Sequence, residues 1–260
     1  MTKILAIANQ KGGVGKTTTS VNLAASLAAA QRRVLLIDLD PQGNATTGSG
    51  INKSELSQTV YHVLLESHGL MDVRQRAPQG GYDVIPANRE LAGAEVELVD
   101  EEHREQRLKL ALAKVADQYD YVLIDCPPAL SLLTINGLVA ASSVMIPMQC
   151  EYYALEGLSD LVNTVKKVRA NLNPQLEIEG LLRTMFDPRN ALAQQVSDQL
   201  QRHFGDKVYS TVIPRNIRLA EAPSYGKPAL FYDRASKGAL AYVALAGEFL
   251  QRGEGAAAPA

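Results

Sequence analysis

A glycine-rich segment near the amino terminus contains the residues best suited to bind phosphate. It reads Lys-Gly-Gly-Val-Gly-Lys-Thr over residues 11–17, after a short apolar run and before a helical pattern. Glycines let backbone N–H groups approach anionic oxygens closely, and the amino end of a helix adds positive partial charge. We expect Lys16 to reach the β- and γ-phosphates of a nucleotide and the Thr17 hydroxyl to ligate Mg²⁺ directly. The strict phosphate-loop pattern has Gly where Gln10 stands, so the match is to a variant.

A second lysine, Lys11, stands at the start of the same loop. The residues predicted to contact nucleotide are consecutive: Lys11, Gly12, Gly13, Val14, Gly15, Lys16, Thr17 and Thr18. The loop backbone and Lys16 already serve one nucleotide. Lys11 is therefore either solvated or reaches a phosphate bound by a neighbouring copy of the chain, as an arginine finger does.

Three aspartates stand where apolar runs end, which is where ligands bind in α/β proteins. Asp38 and Asp40 close the run Leu-Leu-Ile-Asp-Leu-Asp, and Asp125 closes Tyr-Val-Leu-Ile-Asp. We predict that Asp40 orients a water against the γ-phosphate, whereas Asp38 and Asp125 hold Mg²⁺ through water. Cys126 is interpreted as a small space-filling residue. Two prolines at 127–128 stiffen the following segment, which we expect to sense the γ-phosphate.

Short apolar runs alternate with helix-like segments, as in a parallel sheet with both faces buried. The predicted strands are Ile4–Ala8, Val34–Leu39, Tyr82–Pro86, Tyr121–Ile124, Val144–Met148, Ile178–Phe186 and Val208–Ile213. The predicted helices are Lys16–Ala30, Leu91–Ala116, Leu130–Ala140, Leu155–Leu172, Ala191–Phe204 and Ala235–Leu250. These patterns predict a single doubly wound α/β domain over residues 1–252, with a mostly parallel sheet, and a disordered tail at 253–260.

The composition is that of a globular protein, because 46% of the 260 residues are hydrophobic and 21% are charged. No apolar run reaches the ~18 residues of a membrane span, and the amino terminus lacks the features of a secretory signal. Two cysteines, Cys126 and Cys150, are too few for a disulfide framework or a four-ligand metal site. We therefore expect a cytoplasmic protein.

Charge is distributed unevenly, although the net charge is only −2. Residues 54–125 contain 7 basic and 14 acidic side chains, whereas residues 163–218 contain 9 basic and 5 acidic ones. The basic stretch is either a solvated helix surface or a contact area for a polyanion. Because only 5% of residues are aromatic and none is Trp, a nucleic acid would be bound at its phosphates rather than by base stacking.

The motifs KGGVGKT, LLIDLDPQGN and YVLIDCPP, in this order, resemble those of the ATPases with a deviant Walker A loop. This group includes the ParA/Soj partition proteins, MinD and relatives of the nitrogenase iron protein. The segments QCEYYALEGL (149–158) and VIPRNIRLAEAPSYGKP (212–228) resemble the chromosomal ParA/Soj branch in particular. The resemblance covers residues 2–250 and implies a P-loop ATPase that converts ATP and water to ADP and phosphate with Mg²⁺.

The resemblance also implies how such a protein works as a switch. Two copies would form a homodimer around two ATP molecules, with Lys11 crossing to the partner's nucleotide and Gly12 beside it at the interface. Asp40 would be required for hydrolysis, and the segment with Pro214 and Asn216 would contact adenine. The ATP-bound dimer would bind duplex DNA without sequence preference. A centromere-binding partner of the ParB type would stimulate hydrolysis and release the dimer.

Arg189 and Arg218 occupy the positions that the resemblance assigns to DNA contact. Further candidates nearby are Lys166, Lys167, Arg169 and Arg215. All six lie in the basic stretch, and the three on the predicted helix 155–172 would face away from its apolar stripe. Arg215 has a competing explanation, since it stands between the two adenine-segment residues and could be structural. DNA binding would make the protein nucleoid-associated within the cytoplasm.

Two alternatives come from other functional classes. A MinD-like positioning ATPase would bind membranes through a basic amphipathic carboxyl-terminal helix, but the segment after Ala241 has little positive charge and many small residues. A metabolic kinase-like enzyme or ligase would need a pocket for its acceptor, and no segment demands one. The sequence also lacks a pattern for cluster-bridging cysteines or for an amino-terminal helix-turn-helix domain, so we do not expect operator-specific DNA binding.

Overall fold

Strands and helices alternate along residues 2–255, which are the residues that the computed structural model describes. The strands are β1 (Lys3–Ile7), β2 (Val34–Asp38), β3 (Gln75–Arg76), β4 (Asp83–Ile85), β5 (Tyr121–Asp125), β6 (Ser143–Gln149), β7 (Glu177–Phe186) and β8 (Val208–Pro214). The helices are α1 (Lys16–Ala29), α2 (Asn44–Gly48), α3 (Val60–Leu64), α4 (Leu70–Val73), α5 (Leu91–Glu97), α6 (Arg107–Leu112), α7 (Leu132–Ala140), α8 (Ala154–Asn171), α9 (Ala191–Phe204), α10 (Ile217–Glu221), α11 (Ala229–Tyr232) and α12 (Lys237–Gly255).

Within these residues, the eight strands form one sheet in the order β3-β4-β2-β5-β1-β6-β7-β8. Neighbouring strands are parallel except β3 and β4, which are antiparallel. From β1 the chain first builds the half of the sheet that contains β2, β4 and β5, and then crosses to β6 on the other side. The topological switch point therefore lies beside β1, where ligands bind in open α/β sheets.

Apolar side chains cover both faces of the sheet, because successive residues of a strand point to opposite sides. Along β2, Leu35 and Ile37 belong to one core, whereas Val34 and Leu36 belong to the other. Helices α1 and α12 pack on the face of Val34, and helices α7 and α8 pack on the opposite face. The predicted α/β class, with a mostly parallel sheet between two helical layers, is confirmed.

The predicted helix Leu91–Ala116 is wrong, because the structure breaks it into α5 and α6. Between them, His103 adopts a φ of 56°, in the left-handed region that a helix cannot include. Arg107 stabilises this break through ion pairs with Glu66 at 2.5 Å and Glu101 at 2.9 Å. Helices α2, α3 and α4 and strand β3 were not predicted, since segments of two to five residues have too little periodicity to be recognised.

The last helix, α12, continues to Gly255. The first three residues of the predicted disordered tail are therefore helical, and residues 256–260 lie outside the described residues. Across residues 2–255, none of the helices combines the length and the apolar character required to cross a membrane.

Side chains of α12 cover the outer edge of β8, the last strand of the sheet. Glu248 accepts hydrogen bonds from the backbone N–H groups of Ser210 and Thr211, both at 2.8 Å. Arg252 donates to the carbonyl oxygen of Val208 at 3.0 Å and to Glu248 at 2.8 Å. An uncovered edge strand offers these groups to other chains, so the helix protects the sheet from intermolecular pairing.

Replacing Glu248 by Ala is expected to lower the free energy of unfolding at neutral pH by about 1–3 kcal/mol, because two backbone N–H groups lose their acceptor. Burial alone would raise the pKa of Glu248, but hydrogen bonds from Thr211, Ser210 and Arg252 hold the pKa below its usual value. The stabilisation is therefore complete above the unfolded-state pKa of ~4.3 and is lost as the pH falls through the folded-state value. Urea denaturation at neutral and acidic pH measures both effects.

The exposed Gln251 on the same helix provides the control, as Gln251→Ala. An equal loss of stability in Glu248→Ala and Gln251→Ala at neutral pH would contradict the role of Glu248. A difference in stability between the two variants that is as large in acid as at neutral pH would also contradict it.

Candidate nucleotide-binding site

The loop between β1 and α1 lies at the switch point of the sheet and is shaped by its glycines. Gly13 and Gly15 have φ values of 75° and 87°, in the left-handed region that glycine adopts without strain. Gly15 is the N-cap of α1, and no side chain caps it. The first N–H groups of the helix are therefore available to an anion.

Two side chains, one in the loop itself and one on β7, fix the loop backbone. The Asn9 side-chain oxygen Oδ1 accepts a hydrogen bond from the Lys11 N–H at 2.9 Å, and the Asn9 side-chain amide group donates to the Pro147 carbonyl at 2.8 Å. The Thr184 hydroxyl, near the end of β7, donates to the Val14 carbonyl at 2.8 Å. Sequence reasoning missed Asn9 and Thr184 as positioning residues. A polar side chain near the carboxyl end of a predicted strand was the available signal for Thr184.

Lys16 is buried at the first turn of α1, and its ammonium group donates to the carbonyl oxygen of Lys11 at 3.1 Å. Burial lowers the pKa of Lys16, although the carboxylates of Asp125 and Asp40 oppose this shift. A poorly solvated ammonium group is stabilised by a nearby anion. A phosphate bound at the loop would therefore stabilise the charged form of Lys16.

Asp38 and Asp125 stand opposite each other in the register of β2 and β5, and both are fully buried. Asp38 accepts hydrogen bonds from the backbone N–H and the hydroxyl of Thr46, both at 2.8 Å. Oδ1 of Asp125 accepts from the Ser20 hydroxyl at 2.8 Å, whereas Oδ2 has no partner among the described residues. Two buried carboxyl groups thus share one region, and one oxygen is left for a further ligand.

Burial is the main cause of the raised pKa of both carboxyl groups. Burial, followed by the charge of Asp38, raises the pKa of Asp125 to about 8. Burial raises the pKa of Asp38 to about 6, against the hydrogen bonds from Thr46. A divalent cation near both groups would oppose both shifts by stabilising the charged carboxylates, so the pair fits an Mg²⁺ ion.

Within residues 2–255, no cluster of three or more His, Cys, Asp or Glu side chains could hold a metal ion. An Mg²⁺ ion here would need other oxygen ligands, such as the Thr17 hydroxyl, water and phosphate. Asp40 lies two residues beyond β2, where its N–H donates to Asp38 at 3.1 Å and its carboxylate accepts from the Gln42 N–H at 2.9 Å. Asp40 is half-buried and therefore accessible to water at the rim of the loop.

Cys126 is buried directly after Asp125, and burial raises the pKa of its thiol. A Cβ atom added at Gly137 would lie 2.9 Å from its sulfur, so the thiol fills the space beside α7. A buried thiol with a raised pKa does not act as a nucleophile at neutral pH.

A cavity of about 180 Å³ beside the loop joins the two predicted parts of a nucleotide site. Gly15 and Thr18 line it on one side, and Pro214 and Asn216 line it on the other. The Asn216 side-chain oxygen Oδ1 caps α10 by accepting from the N–H groups of Arg218 and Leu219, which fixes the orientation of this side chain. Met185 also lines the cavity with a left-handed φ of 49°, which is unusual for a residue other than glycine. No sequence pattern indicated a role for Met185.

Lys11 and Gly12 lie at the exposed rim of the loop. The Lys11 ammonium group pairs with Glu151 at 2.5 Å, and the two side chains are 44% and 51% exposed. A Cβ atom added at Gly12 would have no other atom within 4 Å. Tyr152 and Tyr153, which follow Glu151 and pack edge to face, are 73% and 70% exposed. Sequence reasoning named Lys11 and Gly12 but missed the ion pair.

The basic residues predicted to contact DNA are exposed. Arg189 pairs with Asp187 at 2.8 Å, and Arg218 pairs with Glu221 at 2.8 Å and Asp233 at 3.2 Å. The remaining candidates are also exposed. Lys166, Lys167 and Arg169 lie on α8 opposite its buried stripe, and Arg215 follows β8. Arg215 additionally lines the cavity beside Pro214 and Asn216.

Comparisons with known proteins connect this geometry to a family. A family model described as an AAA domain matches residues 2–178. The chain is 57% identical to the sporulation initiation inhibitor protein Soj of Bacillus subtilis over 253 residues, 97% of this chain and 100% of that protein. It is 51% identical to the chromosome-partitioning ATPase Soj of Treponema pallidum, over 97% of this chain and 98% of that protein.

Solved structures also match nearly the whole chain. One, from Mycobacterium smegmatis, is described as cobyrinic acid a,c-diamide synthase with a bound ATP analogue and magnesium; it is 38% identical, with a TM-score of 0.87 over 98% of this chain and 97% of that chain. Another is the septum site-determining protein MinD of Pyrococcus horikoshii with Mg-ADP, 26% identical, with a TM-score of 0.77 over 100% of both chains. With the loop geometry and the identities to the Soj proteins, these matches show that the chain belongs to the ParA/Soj family of chromosome-partitioning ATPases.

Proposed function

We propose that this chain is a partition ATPase whose dimerisation and DNA binding are switched by Mg²⁺ and ATP. The observation that carries the proposal is the second lysine of the loop. Lys16 is buried at the start of α1, whereas Lys11 is exposed and paired only weakly with Glu151. A lysine that the chain's own nucleotide does not require is available to a nucleotide bound by a second copy.

ATP would bind with adenine in the cavity beside Pro214 and Asn216 and with its phosphates at the loop, because Gly15 and Thr18 line the same cavity. Mg²⁺ would be held directly by the Thr17 hydroxyl and through water by Asp38 and Asp125, and the unpartnered oxygen of Asp125 supports this assignment. Bound there, Mg²⁺ would neutralise charge that develops on the phosphate oxygens. Solved relatives that contain an ATP analogue or ADP with magnesium agree with these ligands.

Hydrolysis would require Asp40 to orient the attacking water at the rim of the loop. Lys16 would stabilise charge on the β- and γ-phosphates from within the chain, and Lys11 of the second copy would add positive charge from outside. A single chain supplies only part of this set. Turnover is therefore expected to be slow until a second copy, and then a partner protein, completes the site.

The homodimer would form across the rim that contains Lys11 and Gly12. Tyr152 and Tyr153 extend this rim with aromatic surface, which is typical of protein interfaces. Forming the dimer would break the Lys11–Glu151 pair, but an exposed ion pair contributes only about 0–1 kcal/mol. The charge attraction to a phosphate easily offsets that loss.

The ATP-bound dimer would bind duplex DNA without sequence preference, mainly through Arg189 and Arg218. Arg189 is 88% exposed, and the ion pairs of both arginines lie at the surface, so DNA phosphates can replace their carboxylate partners. Further contacts would come from Lys166, Lys167, Arg169 and Arg215. Such binding would place the protein on the nucleoid, and a centromere-binding protein of the ParB type would stimulate hydrolysis and release it.

Two other functions are weighed against this one. The first alternative is a MinD-like role in membrane positioning, but this chain is only 26% identical to the MinD structure and is 57% identical to Soj. The second alternative is amide formation, as in the protein described as a diamide synthase, but the chain is again more similar to the Soj proteins. Turnover that responds to a small acceptor, and not to DNA with a partner protein, would favour the synthase function instead.

The variant Gly12→Val is expected to bind nucleotide but to remain monomeric. Its side chain has open space within the chain, so it collides only with a second copy that approaches closely. Sedimentation with Mg²⁺ and a non-hydrolysable ATP analogue measures the assembly, and Gly247→Val on α12, which also has open space, is the control. A Gly12→Val dimer of normal affinity would show that the interface lies elsewhere.

The variants Asp40→Ala and Lys16→Ala are expected to separate hydrolysis from binding. Asp40→Ala should bind ATP and dimerise but lose at least about 100-fold in turnover, because its water is no longer oriented. Lys16→Ala should lose ATP binding itself. Phosphate release and equilibrium nucleotide binding measure the two effects. Normal turnover in Asp40→Ala would remove this residue from the mechanism.

The variants Arg189→Glu and Arg218→Glu are expected to abolish retention on duplex DNA in the presence of ATP while nucleotide binding is kept. Each reverses the charge at a predicted phosphate contact. Arg89→Glu, an exposed arginine in the acidic half of the chain, makes the same charge change as a control. DNA retention of wild-type strength in both variants would refute the assigned surface.

A further inference from the structure

A second cavity, of about 350 Å³, opens at the opposite end of the sheet from the phosphate loop. It is lined by Val34 and Asp83, the first residues of the parallel strands β2 and β4, whereas the phosphate loop follows the last residue of β1. Ala28, in the last turn of α1, also lines it. Helix α1 has 14 residues, so the two sites are separated by about 20 Å.

The lining of this cavity is strongly basic. Of the described residues that line it, four are arginines and one is an aspartate: Arg32, Arg33, Arg74, Arg76 and Asp83. The first two follow α1, whereas Arg74 directly precedes the short strand β3 and Arg76 is its last residue. They are therefore distant in sequence, and the fold brings them together.

One buried carboxylate, Asp83, orients Arg74 and Arg76 without neutralising both of them. Asp83 is buried and accepts hydrogen bonds from Arg76 at 2.8 Å, from Arg74 at 3.3 Å and from the Tyr119 hydroxyl at 2.8 Å. One carboxylate thus serves two guanidinium groups, so one positive charge remains in excess. The side chains of Arg74 and Arg76 are still 41% and 64% exposed.

The arginines on the other side of the cavity have acidic neighbours as well. Arg33 pairs with Asp120 at 2.9 Å, and its side chain is 61% exposed. The charge of Arg32 also helps to lower the pKa of Asp120, and Asp117 adds a weaker charge attraction to Arg33. A guanidinium group has five N–H donors, so each arginine that binds one carboxylate still has donors for another anion.

We propose that this cavity binds a small phosphate-bearing molecule, of about the size of a mononucleotide, at a site separate from the phosphate loop. Guanidinium groups match phosphate oxygens with paired hydrogen bonds. The exposed polar side chains of Gln31 and Gln118, which also line the cavity, would bind the rest of such a molecule. The volume lies at the lower end of the range of small-molecule pockets.

A phosphate group could also belong to DNA, but the surroundings favour a small ligand. Arg74 and Arg76 lie within residues 54–125, which have 14 acidic and 7 basic side chains. That excess of negative charge repels a long polyanion, whereas a compact ligand meets only the local cluster. The guanidinium groups also surround a concavity instead of forming a stripe along which a duplex could lie.

Isothermal titration calorimetry with inorganic pyrophosphate tests the site in the full chain. The titrations contain EDTA and use the Lys16→Ala background, so that the phosphate loop contributes weakly and equally to every protein compared. The cavity variant is Arg33→Gln with Arg76→Gln. The control is Arg89→Gln with Lys109→Gln, which removes the same charge from exposed positions outside the cavity. We expect the cavity variant to bind at least about tenfold more weakly and the control to change by less than about twofold.

A variant that keeps the positive charge distinguishes the loss of phosphate contacts from a loss of folding. Arg33→Lys with Arg76→Lys should fold and bind pyrophosphate with intermediate affinity, because lysine lacks the paired donors of arginine. Equal pyrophosphate affinity in the cavity variant and the control would overturn the proposal, as would no binding by the Lys16→Ala protein.

A duplex-DNA arm distinguishes the two sources of phosphate. With an intact Lys16 and with ATP, DNA retention should be the same in the cavity variant and the control. DNA retention that falls only in the cavity variant would overturn the assignment to a small ligand. Failure of the proposed partition function leaves the pyrophosphate result unaffected, because that titration depends on neither ATP nor DNA.

Discussion

The phosphate loop depends on one constraint: its backbone must hold several N–H groups towards a common point before any anion arrives. Gly13 and Gly15 make this conformation sterically accessible, but they do not select it. Asn9 and Thr184 select it, because their hydrogen bonds tie the loop to β6 and β7. The order of the strands matters for this reason, since β1 must have β6 beside it and β7 next in line.

Ionic groups in this chain are of two kinds. Asp38, Asp125 and Asp83 are buried. Asp38 and Asp83 each accept several hydrogen bonds, and Asp125 accepts one from Ser20, so their positions are fixed. The cations Lys11, Arg189 and Arg218 pair with carboxylates at the surface, where such pairs contribute little to stability. Exposed cations of this kind can change partners at a small free-energy cost.

Much of the fold and part of the candidate site could be predicted from the sequence. Wholly apolar runs indicated buried parallel strands, and the glycine spacing placed the loop between β1 and α1. Local patterns do not contain the rest. The break after α5 depends on the backbone of His103 and the ion pairs of Arg107, and the bond from Thr184 joins positions 170 residues apart. The arginine-lined cavity was likewise hidden, because Arg74 and Arg76 lie in a segment of net negative charge.

The edge of β8 has a consequence for biosynthesis. This strand ends at Pro214, yet the two side chains that cover its edge, Glu248 and Arg252, belong to α12. A ribosome that adds ~5–20 residues per second completes the strand roughly 2–8 s before it completes that cover. During this interval the nascent sheet has an open margin that a neighbouring nascent chain could join. Translation of the final helix therefore ends the period in which the newborn protein is most prone to aggregate.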